Sequence, residues 1–382
     1  MLGDVPIIDA VIHGFDFDQS NMLNMPPGRI HAQAHLAKVS MAPEYQRYVM
    51  SEEQYEKKHT AEELVSACFA EAQTDIAVYH IVRRIGYMNS GEWSPLDVAV
   101  KMREIAGPER VRIMAGLSDP FDTERSKDEL DQMIEEVGVC GLKFYPWDWD
   151  ARKGKLRKFL LDDENLAYPL IEHLRSRGIK ALAVHKAMGS IISAFGVSDL
   201  DQAVIDFPDM DFEIVHAGWA FMDDTAILAQ HRNVYLNLEG TASLLSVAPR
   251  RFAEILGRFL QRGGGAPNAE DRILWATGVM AVHPRPLVEK FWEFQMPEDL
   301  VEGVGYPEVT DEMKRKILGG NYARKNGLDL DEAIAKIPND EMRQRQNAGD
   351  YAQPWVAVAP RDTPAVVPDA ALAGTRTADR DA

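Results

Sequence analysis

Eight short apolar runs, most of them separated by stretches with helical periodicity, constrain the fold of this chain more than any other feature. Strand-length runs that alternate with helical patterns are typical of right-handed βαβ units, which build a parallel sheet. Eight such units predict a (β/α)8 TIM barrel. The predicted strands are Val5–His13, Asp75–Val82, Val111–Leu117, Gly141–Tyr145, Lys180–His185, Phe212–His216, Val234–Glu239 and Ile273–Thr277. The helices predicted between them include Pro95–Ala106, Ser126–Val137, Tyr168–Arg177, Leu200–Phe207, Asp223–His231 and Pro249–Gln261.

The length of the chain fits one large barrel domain with two additions. The chain has 382 residues, of which 46% are hydrophobic, and this is ample for a single large core. We assign the barrel to residues 1–335 and a C-terminal extension to 336–354. The segment 14–64, longer than a usual βα connection, is predicted to be a partly helical lid on the functional face. Residues 355–382 lack periodicity and are predicted to be a disordered tail.

Charge and targeting signals exclude several classes of protein. The formal net charge is −18, which repels phosphate backbones and argues against nucleic acid as a partner. The sequence shows no secretory signal and no apolar run of about 18 to 20 residues, so we expect a cytoplasmic protein with no membrane segment. Cys68 and Cys140 are too few for a disulfide framework and are expected to be reduced.

Three histidines stand at the C-terminal ends of predicted strands: His13, His185 and His216. In a (β/α)8 barrel these ends converge on one mouth, so residues far apart in the chain can share a metal ion or a substrate. Neutral imidazole is a good ligand for zinc, iron or manganese, although a buried histidine with a carbonyl partner is also an ordinary core feature. His283, which follows strand eight, is considered below. The other histidines are expected at core or surface positions, and they are His31, His35, His59, His80, His173 and His231.

Several motifs resemble those of a known family. Asp9-Ala-Val-Ile-His13 resembles an Asp-x-His-x-His opening, and Val215-His216-Ala-Gly218 resembles the end of strand six. The segment Ile317-Leu-Gly-Gly-Asn-Tyr-Ala-Arg-Lys-Asn-Gly-Leu328 is similar to a GGNAARLYGL ending. On these residues the chain resembles the amidohydrolase superfamily, in the subgroup of aminocarboxymuconate semialdehyde decarboxylase. The resemblance implies one or two divalent transition metal ions (zinc, iron or manganese) and leaves a homodimer open.

Two motif positions differ from this family. Val11 replaces the first histidine of the opening motif, and Gly278 stands where the strand-eight motif Gly-Ser-Asp-x-Pro has its aspartate. Glu239, at the end of strand seven, is a candidate replacement as metal ligand or general base, because a buried acidic side chain needs a cation or another partner. A structural ion pair with Lys143 is the alternative role for Glu239. His283, shortly after Gly278, is a second candidate for the missing aspartate. The aspartates near His13 are candidates for the missing first histidine: Asp9, Asp16 and Asp18.

Further candidates for substrate binding follow strands four and six. Lys143 can orient a substrate carboxylate, carry a bridging carbamate or form a salt bridge. Tyr145, Trp147 and Trp219 present flat rings that can hold an apolar or aromatic substrate or pack under loops.

These features predict a metal-dependent hydrolase. Its metal is expected to be held by His13, His185, His216 and Glu239, with Glu239 or His283 relaying a proton. The substrate is predicted to be a small organic acyl compound, that is an ester, thioester, amide or activated carbon–carbon bond. One alternative is a non-oxidative decarboxylase of an aromatic or unsaturated carboxylic acid, which the resemblance implies. Another is a metal-free barrel with a binding role.

Overall fold

Eight parallel strands form the wall of a barrel in the computed structural model, which describes residues 5–23, 38, 41–150, 152–186, 191–262, 269–348 and 354–359. The strands are β1 (Ile8–Ile12), β2 (Ile76–His80), β3 (Val111–Gly116), β4 (Gly141–Phe144), β5 (Ala181–His185), β6 (Asp211–Val215), β7 (Val234–Asn237) and β8 (Ile273–Leu274). Each strand pairs in parallel with its neighbour in the chain. The predicted strands and the barrel are therefore confirmed.

The barrel closes where β1 meets the residues that follow β8. Ile12 and Val279 form a parallel bridge across this seam. The buried Asp9 carboxylate fixes the same seam, because it accepts hydrogen bonds from the backbone N–H and the hydroxyl of Thr277. Burial raises the pKa of Asp9 to about 7. Asp9 is thus occupied by the seam, although the sequence made it a candidate metal ligand.

Helices pack around the strands as the sequence predicts. The helices after β2 to β8 include Leu96–Ala106, Thr123–Gln132, Ala167–Ser176, Asp201–Asp206, Met222–Leu228, Pro249–Arg262 and Pro284–Glu293. Shorter helices near the end of the chain are Glu298–Val304, Asp311–Arg315, Asn321–Lys325, Leu330–Ala335 and Glu341–Ala348. Among the helices of the described ranges, none is long and apolar enough to cross a membrane.

The segment after β1 contains short helices and an aromatic column. Its described helices are Gln19–Asn21, Pro43–Tyr48, Glu52–Tyr55 and Ala61–Val65. The Phe15 ring stacks on the His13 ring at 4.6 Å between centroids and on Phe17 at 4.7 Å, and Phe17 stacks on Tyr55 at 4.7 Å. This column connects the predicted lid to the barrel mouth. Residues 24–37, 39 and 40 of the predicted lid, with His31 and His35, lie outside the described residues.

Two hairpins that the sequence pattern did not predict follow β2 and β4. One pairs Val82–Arg83 with Glu92–Ser94, and the other pairs Trp147–Asp150 with Lys155–Lys158. Both begin within a few residues of the C-terminal ends of barrel strands. The hairpins therefore extend the wall on the side of the barrel where active sites of this fold lie.

The first residues of the predicted tail pack against the barrel. Trp355 is buried, and its indole N–H donates to the Tyr48 carbonyl oxygen over 2.7 Å. The backbone N–H of Trp355 donates to Glu71 Oε2 over 2.7 Å. These contacts give 354–359 a fixed place, while the rest of the predicted tail, 360–382, lies outside the described residues.

Candidate active site

His13, His216, Glu239 and Lys143 form one electrostatically coupled group at the barrel mouth. His13 directly follows β1, His216 directly follows β6, Glu239 lies two residues beyond β7, and Lys143 lies in β4. All four are buried. The Glu239 carboxylate lies between the two histidines, with Oε1 3.7 Å from His13 Nε2 and Oε2 3.7 Å from His216 Nδ1. The structure therefore brings together residues from four strand ends, as the sequence predicted.

Backbone carbonyl groups fix the orientation of two imidazoles. His13 Nδ1 lies 3.1 Å from the His80 carbonyl oxygen, and His216 Nδ1 lies 3.0 Å from the Glu239 carbonyl oxygen. A carbonyl oxygen only accepts, so we assign the proton to Nδ1 in both rings and a lone pair to Nε2. Metal-binding histidines commonly show this arrangement. Burial lowers the pKa of His13 to about 4 and the pKa of His216 below its usual value, so both rings are neutral at pH 7.

His216 and His185 form a second close pair. His216 Nε2 lies 3.2 Å from His185 Nδ1, and the His185 ring stacks on Tyr145 at 4.6 Å. His216 has φ +70°, a left-handed conformation that is uncommon for a residue with a side chain. The Thr241 hydroxyl donates to the His216 carbonyl oxygen over 2.7 Å and helps hold this backbone. Strained backbone of this kind is concentrated at functional sites.

Glu239 and Lys143 each retain a buried polar atom without a hydrogen bond to any described residue, namely Glu239 Oε2 and Lys143 Nζ. Burial acts to raise the pKa of Glu239, but His216, Lys143 and His13 hold it below its usual value. Since both histidines are neutral at pH 7, the Lys143 ammonium is the cation of this group that balances the carboxylate. Burial lowers the pKa of Lys143 to about 8, with Glu239 and Glu213 opposing the shift.

Gly278 leaves the space that the Glu239 side chain uses. A Cβ atom at position 278 would lie 3.0 Å from both Cγ and Oε1 of Glu239, and Gly278 has φ +76°. A side chain at this position would therefore be strained by its backbone and crowded by Glu239. The carboxylate at the end of β7 thus reaches the place beside β8 where the resembled motif has its aspartate.

The donor types at the mouth fit a divalent transition metal. Three imidazoles and one carboxylate are ligands that zinc, iron and manganese accept. The donors lie in pairs, His13 with Glu239 and His216 with His185. Within the ranges that the structure describes, no three His, Cys, Asp or Glu side chains lie close enough to hold one ion as they stand. A bound ion therefore requires the side chains of these two pairs to converge.

The structure does not bring His283 into this group. His283 is fully buried, and its Nε2 donates to Glu71 Oε2 over 3.1 Å. Its Nδ1 accepts from the backbone N–H of Arg285 at the start of the helix Pro284–Glu293. The turn after β8 directs the side chain toward Glu71, and both ring nitrogens are occupied by hydrogen bonds. The prediction that His283 relays a proton is therefore wrong, and His283 has a structural role.

The predicted aromatic residues differ in their surroundings. Tyr145 lines a small cavity of about 10 Å³, enough for one water molecule, together with Lys143 and Asp148. Trp147 lies in the hairpin after β4, where its indole N–H donates to the Tyr87 hydroxyl over 2.8 Å. Trp219 is half-buried and packs against the hydrophobic core. Tyr145, which stacks on His185 and lies beside Lys143, therefore belongs to the mouth, whereas the described contacts of Trp147 and Trp219 do not place them there.

Arg84 is a residue of the mouth that sequence reasoning missed. It follows β2 by four residues and is 7% exposed. Its guanidinium carbon lies 4.8 Å from the ring centroids of both Tyr87 and Tyr145. A basic residue just beyond a strand end was the available signal, because this is where a barrel binds its substrates.

Comparison with known proteins identifies the family. A family model for amidohydrolases matches residues 92–325. The match covers more than half of the chain, so the protein belongs to the amidohydrolase family, and the resemblance in the sequence is confirmed. A search of curated protein sequences gives no significant match.

Solved structures share the fold over most of the chain. An uncharacterised TIM-barrel protein from Bordetella bronchiseptica is 18% identical with a TM-score of 0.56, covering 87% of this chain and 100% of that protein. A 2,6-dihydroxybenzoate decarboxylase in complex with 2,6-dihydroxybenzoate is 12% identical with a TM-score of 0.50, covering 85% and 99%. A dihydroxybenzoic acid decarboxylase from Polaromonas sp. JS666, with bound manganese and an inhibitor, is 14% identical with a TM-score of 0.49, covering 86% and 98%. The TM-scores of the first two structures support the fold, and at these identities they do not indicate the reaction.

Proposed function

We propose that the protein is a metal-dependent hydrolase of an organic acyl substrate that carries an acidic group. The observation that carries this proposal is the pair of unsatisfied atoms Glu239 Oε2 and Lys143 Nζ, both buried in one coupled group. A buried charge without partners is unfavourable for stability and is typical of sites that bind or react. A substrate supplies the missing partners, with an acidic group for Lys143 and a proton donor for Glu239.

The metal ion that the family implies would be held by His13, His185, His216 and Glu239. Both His13 and His216 engage Nδ1 with a carbonyl oxygen and carry the lone pair on Nε2; an ion bound by His216 would replace its hydrogen bond from His185 Nδ1. A divalent ion at this place lowers the pKa of water toward about 7 and polarises an acyl oxygen.

Glu239 is the proposed proton acceptor. Its lowered pKa keeps the carboxylate ionised at neutral pH, and Oε2 has no competing hydrogen bond. Glu239 takes a proton from water as the water oxygen bonds to the acyl carbon, and it returns the proton to the leaving group as the acyl bond breaks. Lys143 holds the acidic group of the substrate through charge-assisted hydrogen bonds and so fixes the position of the acyl carbon.

Metal analysis combined with product analysis tests this proposal. We expect a stoichiometric divalent metal in the purified protein and release of acid, without carbon dioxide, from a panel of carboxylated esters, thioesters and amides. His216→Ala should lose most of the metal while remaining folded, since mouth residues contribute chemistry more than stability. Release of one carbon dioxide per turnover would instead assign the carboxy-lyase reaction. A folded, metal-free protein without turnover on the panel would refute the proposal and support a binding role.

A further inference from the structure

Arg84 is a buried cation whose charge is poorly matched by its surroundings. Its Nε atom is buried without a hydrogen bond to a described residue. The carboxylate paired with it is Asp148, whose Oδ1 lies 3.6 Å from Nε, beyond hydrogen-bonding distance. Arginine is normally buried only when its guanidinium is paired. Arg84 thus has capacity for another anion.

The neighbouring Arg83 shows what a satisfied guanidinium looks like in the same segment. Arg83 Nε donates to Glu92 Oε1 over 3.0 Å, and its Nη1 donates to Glu129. Two carboxylates thus neutralise Arg83, whereas Asp148 approaches Arg84 without a hydrogen bond. Burial also raises the pKa of Asp148 to about 6, so this carboxylate is mostly ionised at pH 7 and loses its charge as the pH falls through about 6.

The ring of Tyr145 links Arg84 to Lys143. The guanidinium carbon of Arg84 lies 4.8 Å from the ring centroid of Tyr145, and Lys143 Nζ lies 5.6 Å from the same centroid. The two cationic centres are therefore at most about 10 Å apart. With hydrogen bonds of about 2.8 Å at each end, that limit accommodates two carboxylates separated by a few carbon atoms.

We propose that Lys143 and Arg84 bind two acidic groups of the same substrate, so that the substrate class is a derivative of a short dicarboxylic acid. This inference rests on the proposed function, because it places the first acidic group at Lys143 beside Glu239. Arg84 is then a specificity-determining residue. Since the chain carries a net charge of −18, a dianion is attracted to this mouth only by local cations. The uncharged edge of Tyr145 packs along the carbon chain between the two groups.

Binding measured by calorimetry tests the inference without requiring turnover. The purified holoenzyme is titrated with glutarate and with butyrate, which share a similar carbon chain and differ in one carboxylate. We expect glutarate to bind at least about tenfold more tightly, since a charge-assisted pair contributes strongly when it is buried. Arg84→Gln should weaken glutarate binding about 10- to 100-fold and change butyrate binding less than about threefold.

Two further variants guard against a purely structural effect. Arg83 also lines the small cavity beside Lys143, but its guanidinium already has carboxylate partners, so Arg83→Gln should leave the preference for glutarate within about threefold. Arg84→Lys keeps the charge without the planar fork and should retain part of the preference. Equal loss of glutarate and butyrate binding in Arg84→Gln, or equal binding of both by the parent protein, overturns the inference.

Hydrolysis assays separate this inference from the proposed function. Hydrolysis of 3-acetoxybutyrate, with one carboxylate, and 3-acetoxyglutarate, with two, at the same kcat/KM would support a hydrolase and reject the dicarboxylate class. Preferential, Arg84-dependent binding of glutarate without hydrolysis of any ester, thioester or amide would support the class and reject the hydrolase.

Discussion

Two buried glutamates with neighbouring histidines, Glu239 and Glu71, have opposite surroundings in this barrel. Glu71 accepts four hydrogen bonds, from His283 Nε2 at 3.1 Å, from the Ser66 hydroxyl at 2.8 Å and from the backbone N–H groups of Trp355 and Val356 at 2.7 and 3.0 Å. Glu239 has its histidine nitrogens at 3.7 Å, and its Oε2 has no hydrogen-bond partner.

The difference shows which of two similar carboxylates is available for chemistry. A carboxylate whose lone pairs are occupied by fixed donors stabilises the fold and has little capacity left for a substrate. A carboxylate buried without donors reduces stability and keeps that capacity. Residue type and burial therefore do not separate the two roles, whereas the count of hydrogen bonds does.

Glu239→Gln should give the largest effect. The substitution keeps the shape of the side chain and removes the base, so kcat should fall by about two to four orders of magnitude. The free energy of unfolding should fall less than in Glu71→Gln, because Glu239 Oε2 accepts no hydrogen bond, although the buried Lys143 ammonium loses the charge that balances it. Steady-state kinetics and urea unfolding measure both quantities on one preparation. Normal turnover with normal metal content in Glu239→Gln would remove Glu239 from the reaction.

Glu71→Gln should show the opposite pattern. Loss of charge-assisted hydrogen bonds from His283 and from the Trp355 segment should lower the free energy of unfolding by about 1–3 kcal/mol. The kcat per folded molecule should stay close to that of the parent, because Glu71 pairs with His283 and not with the mouth group. An unfolding transition that stays in place while kcat falls would break the comparison between the two glutamates.

Lys143→Met tests the cation that balances Glu239. Methionine preserves much of the volume and removes the charge, so kcat/KM should fall by more than about tenfold, equivalent to about 1.4 kcal/mol. Metal content should be unchanged if Lys143 orients the substrate. Metal loss in proportion to the loss of activity would show that Lys143 carries a metal-bridging carbamate.

The smallest expected effect concerns the stability of the protein at acidic pH, which tests whether Glu71 is ionised in the fold. Burial acts to raise the pKa of Glu71, but its hydrogen bonds to His283, Ser66 and Trp355 hold it below the ordinary value of 4.5. A lowered carboxyl pKa contributes stability above about pH 4.5 that is lost as the pH falls through the folded-state value. Unfolding measured from pH 7 down to pH 3 should therefore show a smaller acid loss in Glu71→Gln than in the parent. Identical curves would mean that Glu71 is not ionised in the folded state.

The barrel was predictable because its signals are local. Each strand is a short apolar run, and β5 and β6 begin and end within one residue of their predicted bounds. Strand-end residues such as His13, His185 and His216 could be placed at the mouth because the fold itself gathers strand ends. The hairpin strand Trp147–Asp150 carried no such signal, since its alternation of aromatic and acidic residues also fits a loop.

The partners of the site residues were less accessible to sequence reasoning. His283 follows β8 closely enough to suggest the mouth, but the turn after Gly278 carries it to Glu71. The carbonyl of His80 that orients His13 belongs to the backbone, so no residue type could have indicated it. Orientation and hydrogen-bond satisfaction depend on three-dimensional packing, which residue spacing alone does not determine.

The crowding between Gly278 and Glu239 has a consequence for how such sequences can diverge. A mutation that placed aspartate at 278 beside Glu239 would put its Cβ within 3.0 Å of that side chain on a left-handed backbone. The less strained route for exchanging the two carboxylate positions therefore loses one before gaining the other, through an intermediate that has neither. Selection for activity opposes that intermediate, so an exchange of the two carboxylate positions should be rare. Among descendants of a common ancestor, glutamate at 239 and glycine at 278 should be inherited together.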